Sequence, residues 1–351
     1  MKKIYLYHLG IGNIGKELIS QLAMQEELLT RKYGVEIRYA GLFTSSTGFF
    51  NAEGISVKEA KKLILEKGLT QKIDPQKTIS EMKNPFICID TTASDQTIPL
   101  LKKALENGGF VVCSNKKPFT GSQKDFDTLH SFNESRLLYE TTVGAGLPVI
   151  QTIKNLLDTG DEILEIQGCF SGTLGFIFSE LEKGTPFSHA VFTAKDQGFT
   201  EPDPRDDLSG VDVARKALIL ARLLGQKKEL SDIQLESLFP KKMEKYTVED
   251  FLKNISQLDE QYAQKRNIAA KENKVLRFIA QITPEKSSVQ LQAVDKNSDI
   301  GSLTGPDNII VCKTKRYNTN PLIIKGPGAG IEVTAAGVFA DIMTVIKTIN
   351  K

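Results

Sequence analysis

Short apolar runs alternate with segments of helical periodicity through the first third of the chain. The runs predict strands and the periodic segments predict helices, in the order strand 4–9, helix 10–29, strand 35–43, helix 56–67, strand 86–90, helix 97–107 and strand 110–114. Strands that alternate with helices in this way are typical of a parallel sheet wound on both faces. We therefore predict an α/β fold with a Rossmann-type, doubly wound parallel sheet.

The pattern changes near Leu147. Helices and strands no longer alternate, and four apolar strands cluster after a long polar region. The predicted order is helix 148–157, strand 162–170, helices 173–182 and 187–197, an acidic loop and its helix, strands 274–282, 289–294, 308–314 and 322–325, and helix 333–349. This order predicts a second domain of the α+β class at 148–325. The first domain is predicted at 1–147, completed by the C-terminal segment 326–351.

Composition excludes several classes of partner. The 351 residues carry a net charge of +2, which gives no reason to expect nucleic acid or an anionic membrane as a partner. No apolar run approaches the roughly 20 residues that span a bilayer. The four cysteines lie far apart without a Cys-x-x-Cys pair, which indicates reduced thiols in a cytoplasmic protein. The three histidines are isolated, so neither a transition-metal site nor a Ser-His-Asp triad is predicted.

Three glycines form a dinucleotide-binding motif. Gly10, Gly12 and Gly15 fit Gly-x-Gly-x-x-Gly between a predicted strand and a predicted helix. The glycines allow a tight turn, and the helix N-terminus offers free amides to a pyrophosphate. The alternative is a turn with a purely structural role. An acidic residue that would hold the ribose of NAD is missing where the second strand ends, because Glu36 lies too early. Hydroxyl groups occupy 44–47 instead, so the sequence tolerates NADP and weakly favours it over NAD.

The segment 198–216 concentrates charge. Five carboxylates and a lysine lie across a loop that leads into a helix from Leu208 onward, and Pro202 and Pro204 predict a stiff loop without helix. Asp212 and Lys216 are four residues apart, so they share one face of that helix. This arrangement suits a substrate that carries an ammonium group and a polar group undergoing proton transfer. The alternative is an acidic helix start with an ordinary surface ion pair.

Three further motifs follow predicted strands or mark a turn. Thr92 and Lys116 lie at strand ends, the edge at which such sheets bind ligands. The segment 140–148 places Glu140 before a glycine-broken turn, whose carbonyls could ligate a hard cation or which could serve as an interdomain hinge. Lys116 could contact a cofactor or a reacting oxygen, and its alternative is a solvent-exposed lysine.

These motifs together resemble the homoserine dehydrogenase family over essentially the whole chain. The resemblance is carried by the glycine motif at 10–15, Ser-Asn-Lys-Lys at 114–117, the segments 140–148, 170–177 and 198–216, and Gly-Ala-Gly at 328–330. It is closest to the short, monofunctional type, without a regulatory ligand-binding (ACT) domain or a fused aspartate kinase. The resemblance implies a Rossmann domain, a catalytic and dimerisation domain, and NAD(P)H-dependent, reversible reduction of L-aspartate 4-semialdehyde to L-homoserine, a step of threonine and methionine biosynthesis.

The resemblance also implies roles for individual residues. Lys216 is expected to be the acid/base catalyst, and Lys116 is expected near the nicotinamide and the reacting oxygen. The expected substrate-binding residues are Gly198, Glu201, Asp207, Asp212 and Thr173. The expected cofactor contacts are Gly10, Gly12, Asn13, Ile14, Gly15, Thr92, Lys116, Gly198, Glu201 and Gly330. A structural Na⁺ or K⁺ is expected at Glu140, Val143, Ala145 and Leu147, and a homodimer is expected.

Two other functions compete with this hypothesis. One is a dehydrogenase of the same architecture that acts on another small amino or hydroxy acid, although such an enzyme has no reason to keep the segment 198–216. The other is a catalytically silent NAD(P)-binding sensor or scaffold. Aspartate-semialdehyde dehydrogenase is a related activity to exclude, because its chemistry needs a nucleophilic cysteine. None of the four cysteines lies in a recognisable nucleophile motif.

Overall fold

The computed structural model describes residues 1–350. Within them the strands are β1 (Lys2–Leu9), β2 (Val35–Phe43), β3 (Gly48–Ser56), β4 (Phe86–Asp90), β5 (Phe110–Cys113), β6 (Leu137–Leu138), β7 (Ile163–Cys169), β8 (Gln234–Leu235), β9 (Lys274–Ile282), β10 (Ser287–Asp295), β11 (Asp307–Thr314) and β12 (Leu322–Pro327). The α-helices are α1 (Asn13–Tyr33), α2 (Val57–Lys62), α3 (Pro75–Thr78), α4 (Ile98–Glu106), α5 (Lys117–Thr120), α6 (Gln123–His130), α7 (Ile150–Asp158), α8 (Gly172–Glu182), α9 (Phe187–Asp196), α10 (Pro204–Leu208), α11 (Val211–Leu223), α12 (Val248–Asn254), α13 (Asp259–Lys271) and α14 (Ile331–Ile349).

The chain divides into two compact units. Unit 1 comprises residues 1–146 and 329–351, and unit 2 comprises residues 147–328. Each unit is built around one six-stranded sheet.

The sheet of unit 1 has the order β3-β2-β1-β4-β5-β6. All its strand pairs are parallel except the pair of β2 with the edge strand β3, which is antiparallel. Six consecutive residues of β1 are buried, as expected for a central parallel strand covered on both faces. Helices α1 and α14 pack against each other and share one apolar core with β1 and β2. The predicted doubly wound fold is confirmed.

Unit 1 also contains elements that the hydrophobic pattern did not predict. Strand β3 alternates half-buried and exposed residues around Gly54, so its apolar signal is weak. The helix predicted over 56–67 is an α-helix only to Lys62, and a π-helical turn continues it from Leu63 to Lys67. The start of α2 is set by a capping box between Ser56 and Glu59.

The sheet of unit 2 has the order β12-β11-β7-β9-β10-β8. Its pairs are antiparallel except the short pair of β10 with β8, which agrees with the predicted α+β class. Helices α8, α11 and α13 pack against β9. The guanidinium of Arg277 in β9 is buried, and it pairs with Glu182 of α8 at 3.0 Å while donating to two backbone carbonyls at 2.8 Å.

Candidate active site

The glycine motif forms a tight turn between β1 and α1. Gly10 has φ +91°, and a Cβ there would lie 2.7 Å from the backbone of Thr91. A Cβ at Gly15 would lie 2.6 Å from the carbonyl oxygen of Gly10. By contrast, a Cβ at Gly12 would meet nothing within 4 Å, so this glycine faces open space. Gly10 and Gly15 therefore allow close packing within the protein, whereas Gly12 leaves room beside the turn.

Gly12 is also the N-cap of α1, and no side chain caps this helix. The first amides of a helix have no partner within the helix, and the helix dipole favours an anion at this end. Asn13 and Ile14 supply two of these amides. An uncapped helix start beside open space therefore fits the pyrophosphate of a dinucleotide.

Hydroxyl groups, and no carboxylate, follow β2. The N–H groups of Gly10 and Ile11 donate to the carbonyl of Phe43 at 2.8 and 3.1 Å, which ties the glycine turn to the last residue of β2. Thr44 and Thr47 then close a turn through their hydroxyls at 2.8 Å. Glu36 lies near the other end of β2, where it pairs with Arg38 at 2.7 Å. A ribose phosphate at the end of β2 would therefore meet hydroxyls and no repelling carboxylate.

Two loops at the carboxyl edge of this sheet carry Thr92 and Lys116. Thr92 follows β4, and its N–H donates to Asp90 Oδ1 at 2.9 Å. Lys116 follows β5, is half-buried and is the N-cap residue of α5. Because β4 and β5 are neighbouring parallel strands, both loops lie at one edge of the sheet, as the sequence predicts.

The acidic segment of unit 2 folds differently from the prediction. Asp203 caps a short helix, α10, and Pro204 is its first residue, so the proline starts a helix where the sequence predicted only a stiff loop. Proline is favoured at this position because its missing N–H would have no helical partner. Gly210, with φ +72°, separates α10 from α11. The break turns the chain between Asp207 at the end of α10 and Asp212 in the first turn of α11.

Lys216 is buried on α11 and has two oxygen partners. Its Nζ lies 2.8 Å from Oδ2 of Asp212 and donates to the carbonyl of Phe170 at 2.6 Å. The residue is 8% exposed, whereas the side chain of Asp212 is 44% exposed. The predicted pair of Asp212 and Lys216 therefore exists, and the contact with Phe170 adds a partner that the sequence did not predict.

Asp207 organises the loop that precedes it. Its Oδ2 accepts the N–H of the exposed residue Glu201 at 2.8 Å. Thr173, which is buried at the start of α8, donates its hydroxyl to the carbonyl of Phe199 at 2.6 Å and so ties the start of this loop to α8. Burial is the main cause of a raised pKa at Asp207, and the carboxylates of Glu201 and Asp212 add to it. Gly198, with φ +72°, turns the chain into this loop.

Three of the four proposed cation ligands, Glu140, Val143 and Ala145, lie in a buried turn. Glu140 and Val143 are buried, and the N–H of Glu140 is held by Asp341 of α14 at 3.0 Å. Ala145 has φ +52°, unusual for a residue with a side chain. The carbonyl of Leu147 already accepts the N–H of Val149 at 2.9 Å. Across residues 1–350 no group of three or more His, Cys, Asp or Glu side chains could hold a metal ion, and the predicted site uses one carboxylate, Glu140, with backbone oxygen from the other three residues.

Comparison with known proteins identifies the family. The family model for homoserine dehydrogenase matches residues 148–343, more than half of the chain. The chain belongs to the homoserine dehydrogenase family. The homoserine dehydrogenase of Saccharomyces cerevisiae is 37% identical and covers 96% of each chain. The bifunctional aspartokinase/homoserine dehydrogenase of Haemophilus influenzae is 38% identical over 99% of this chain, which spans only 43% of that longer protein.

A solved structure extends the family comparison to the fold. A hyperthermophilic archaeal homoserine dehydrogenase in complex with NADPH superimposes with a TM-score of 0.75 at 26% identity, and covers 98% of each chain. The predicted family is thus confirmed, and the Rossmann-type architecture agrees with that of a solved member. None of the helices within residues 1–350 is both long enough and apolar enough to cross a membrane.

Proposed function

We propose that this protein catalyses the reversible, NAD(P)H-dependent reduction of L-aspartate 4-semialdehyde to L-homoserine. The observation that carries the proposal is the buried ammonium of Lys216, held between Asp212 and the carbonyl of Phe170, in a chain of the homoserine dehydrogenase family. Surface ion pairs rarely bury their lysine. The burial of Lys216 therefore favours a functional group over an ordinary pair on a helix surface.

Lys216 is the proposed acid/base catalyst. In the direction of reduction its ammonium would donate a proton to the carbonyl oxygen of the semialdehyde, and in the direction of oxidation its neutral amine would accept the hydroxyl proton of homoserine. Asp212 and Phe170 both accept hydrogen bonds from Nζ, so they fix the direction of the amine. Lys116 is the second proposed catalytic residue, because a cation stabilises the negative charge that develops on the reacting oxygen.

The substrate-binding role is proposed for the residues around the loop 198–207. Glu201 and Asp212 would pair with the substrate ammonium, since Glu201 is exposed and the side chain of Asp212 is 44% exposed. Asp207 and Thr173 would hold the shape of this loop through the N–H of Glu201 and the carbonyl of Phe199. Gly198 would allow the close approach of substrate.

The proposed cofactor is NADP or NAD, with NADP favoured. When bound, the cofactor supplies or accepts the hydride. The chain would hold it at the uncapped start of α1 and at the two loops after β4 and β5. The proposed contacts are Gly10, Gly12, Asn13, Ile14, Gly15, Thr92, Lys116, Gly198, Glu201 and Gly330. The turn of Thr44 and Thr47 supports NADP, because it presents no carboxylate to the 2′-phosphate.

The homodimer, the cytoplasmic location and the structural Na⁺ or K⁺ stay predictions. Sedimentation of the purified protein tests the dimer. The thermal midpoint measured in NaCl, KCl and choline chloride at equal ionic strength tests the cation, because a bound ion stabilises the folded state by mass action.

The decisive experiment follows the absorbance of the reduced nicotinamide while homoserine is oxidised, with NAD⁺ and NADP⁺ in parallel. Lys216→Ala is the test variant, and Lys253→Ala is its control, since Lys253 also pairs with a carboxylate four residues away but is exposed. The proposal requires full turnover by the wild type and by Lys253→Ala, and a kcat lower by orders of magnitude in Lys216→Ala. Folded wild-type protein that binds a dinucleotide and oxidises no homoserine would favour a silent sensor.

A further inference from the structure

A carboxylate is buried at the end of β4 and takes no part in the proposed chemistry. Asp90 is fully buried and accepts three hydrogen bonds within unit 1. The donors are the N–H of Thr92 at 2.9 Å, the hydroxyl of Thr97 at 2.6 Å and the side-chain amide of Asn115 at 3.0 Å. Two of these donors belong to the loop after β4, and the third belongs to the loop after β5.

Asn115 extends the connection between the two loops. Its side-chain Nδ2 also donates to the carbonyl of Ser94 at 2.6 Å and lies 3.1 Å from the hydroxyl of Thr92. Its Oδ1 accepts the N–H of Lys117 at 3.1 Å. Asn115 is 3% exposed, so these bonds do not compete with bulk water. The amide therefore links the loop after β4 to the first turn of α5.

The network lies directly beside two residues of the proposed function. Thr92 contributes its N–H to Asp90, and Lys116 stands between Asn115 and Lys117, both of which belong to the network. The network holds the side chain of Asn115 before Lys116 and the N–H of Lys117 after it, so it restrains the backbone from which the Lys116 side chain leaves. Asp90 thus reaches both proposed cofactor-binding loops through one or two hydrogen bonds.

Simple packing does not account for a charged group at this place. Removing a carboxylate from water is unfavourable, and an apolar residue with good packing often stabilises a core better. Both oxygen atoms of Asp90 accept hydrogen bonds from the surrounding loops. A buried polar group with all its hydrogen bonds made is expected where it specifies one arrangement of those loops. The same chain offers a comparison in unit 2, where Asp161 is 6% exposed and accepts the hydroxyl of Thr314 at 2.7 Å, among residues with no proposed role.

We propose that Asp90 is a positioning residue that holds Thr92 and Lys116 in the geometry that binds the dinucleotide, acting through Thr97 and Asn115. This inference rests on the proposed function only for the class of ligand that the two loops bind. It assigns Asp90 no contact with the cofactor or the substrate.

The test compares Asp90→Asn with Asp161→Asn. Each variant keeps the side-chain shape and removes one buried carboxylate, so both should lower the thermal midpoint. Asp90→Asn is expected to raise the Kd of NADPH, measured by fluorescence titration, by about tenfold, the value of one charged hydrogen bond. It is also expected to raise the KM for the dinucleotide more than the KM for homoserine. Asp161→Asn is expected to leave both values at those of the wild type.

Two milder variants keep the test decisive if Asp90→Asn does not fold. Thr97→Val preserves the side-chain shape and removes only the hydroxyl, and Asn115→Ala removes the link between the loops. Each is expected to weaken NADPH binding by about threefold to tenfold. Unchanged Kd values in folded Thr97→Val and Asn115→Ala would overturn the proposal, as would an equal rise in Kd for Asp161→Asn, which would indicate general destabilisation.

The Kd of NADPH separates this inference from the proposed activity. A wild-type protein that binds NADPH without oxidising homoserine would end the proposed function, and a weakened Kd in the Asp90 variant would still support the positioning role. If the wild type oxidises homoserine and the Kd of NADPH is unchanged in Asp90→Asn, Thr97→Val and Asn115→Ala, the positioning role is wrong and the proposed function stands. A wild type that binds neither dinucleotide would overturn both.

Discussion

The carbonyl oxygen of Phe170 lies 2.6 Å from Nζ of Lys216, and the carboxylate of Asp212 lies 2.8 Å from the same nitrogen. Phe170 precedes α8, whereas Asp212 lies on α11 with Lys216 itself. Both contacts are accepted from the amine, so each limits the directions in which Nζ can point. The orientation of the proposed acid/base group therefore depends on Phe170 as well as on Asp212.

The first prediction concerns this lysine. Lys216→Ala is expected to reduce kcat for homoserine oxidation by about 10²- to 10⁴-fold, the usual contribution of a positioned acid/base group. The Kd of NADPH is expected to stay within about twofold of the wild type, because the proposed cofactor contacts lie elsewhere. Steady-state kinetics and fluorescence titration measure the two quantities, and a kcat near the wild-type value would remove Lys216 from the mechanism.

The second prediction follows from the raised pKa of Asp207. A raised pKa in the folded state means that folding favours the protonated carboxyl, so ionisation of Asp207 destabilises the folded protein at pH values above its pKa. Asp207→Asn keeps an oxygen that can accept the N–H of Glu201 and removes the charge. Its thermal midpoint relative to the wild type is expected to be higher at pH 7, and this advantage is expected to fade below the ordinary aspartate pKa of about 3.9.

The turnover of Asp207→Asn with homoserine is expected to change in the opposite direction to its stability. Asp207→Asn is expected to lose turnover with homoserine while gaining stability, because functional carboxylates are retained at a cost in stability. Asp206→Asn is the matched control, since Asp206 is the neighbouring, exposed aspartate of α10. An equal change in the midpoint for both variants would show that net charge, and not the position of Asp207, is responsible.

The sequence predicted the elements whose signal is local. The apolar run of β1, the glycine turn and the spacing of Asp212 and Lys216 follow from the order of residues, and the structure contains all three. The predicted loop without helix around Pro204 was wrong, because α10 starts at this proline. Proline breaks the interior of a helix, but it is favoured at the first helical position. Edge strand β3 was missed because its burial pattern is irregular.

The partners of the site residues could not be predicted, because they come from distant parts of the chain. Phe170 contacts Lys216 through its backbone, so its side chain carries no signal of the role. Asp90 and Asn115 are 25 positions apart and meet only because β4 and β5 are adjacent. The order of residues places Asp90 and Asn115 at one edge of a sheet, but it does not determine which hydrogen bonds they form.

A third prediction separates two glycines of the same motif. Gly12→Ala is expected to fold with the wild-type thermal midpoint, because its Cβ would meet no protein atom within 4 Å and its φ of −90° suits alanine. Its Kd for NADPH is expected to rise by at least about tenfold, because the methyl group would occupy the space proposed for the pyrophosphate. Gly15→Ala is expected to lower the midpoint, because its Cβ would lie 2.6 Å from the carbonyl of Gly10.

The two variants control each other. Equal losses of stability would contradict the packing difference between the two positions. Wild-type affinity in folded Gly12→Ala would show that the open space beside the turn does not bind the dinucleotide.

A fourth prediction concerns a buried histidine beneath the glycine turn. His8 is fully buried, and its Nε2 lies 2.9 Å from the hydroxyl of Thr91, which itself donates to the carbonyl of Gly10 at 2.6 Å. Since Thr91 has one hydroxyl hydrogen, Nε2–H of His8 is the donor in the first bond. Burial lowers the pKa of His8 to about 3.

A lowered pKa in the folded state makes His8 a source of acid sensitivity. Below the unfolded-state value of about 6.5 the unfolded chain binds a proton that the folded protein excludes, so stability falls as the pH drops from about 6.5 toward 3. His8→Gln keeps a donor for Thr91 and is expected to reduce this loss by up to about 1.4 kcal/mol per pH unit. Urea unfolding at several pH values measures the slope, and His189→Gln, which changes an exposed histidine, is the control for the loss of one imidazole.

The last prediction tests the choice between NADP and NAD at the end of β2. Ser45 is exposed in the turn closed by Thr44 and Thr47, where a carboxylate would hold the ribose of NAD in many Rossmann folds. Ser45→Asp introduces that carboxylate, which repels a 2′-phosphate and offers hydrogen-bond acceptors to a free 2′-hydroxyl. The ratio of kcat/KM for NADPH to that for NADH is expected to fall by about tenfold or more, equivalent to ~1.4 kcal/mol of differential binding.

Asn51→Asp adds the same charge at an exposed position of β3 and is expected to leave the ratio unchanged. An unchanged ratio in Ser45→Asp would mean that the ribose phosphate is recognised away from this turn. A new negative charge beside the 2′-position must weaken the binding of NADPH more than that of NADH, because only NADPH carries a phosphate there.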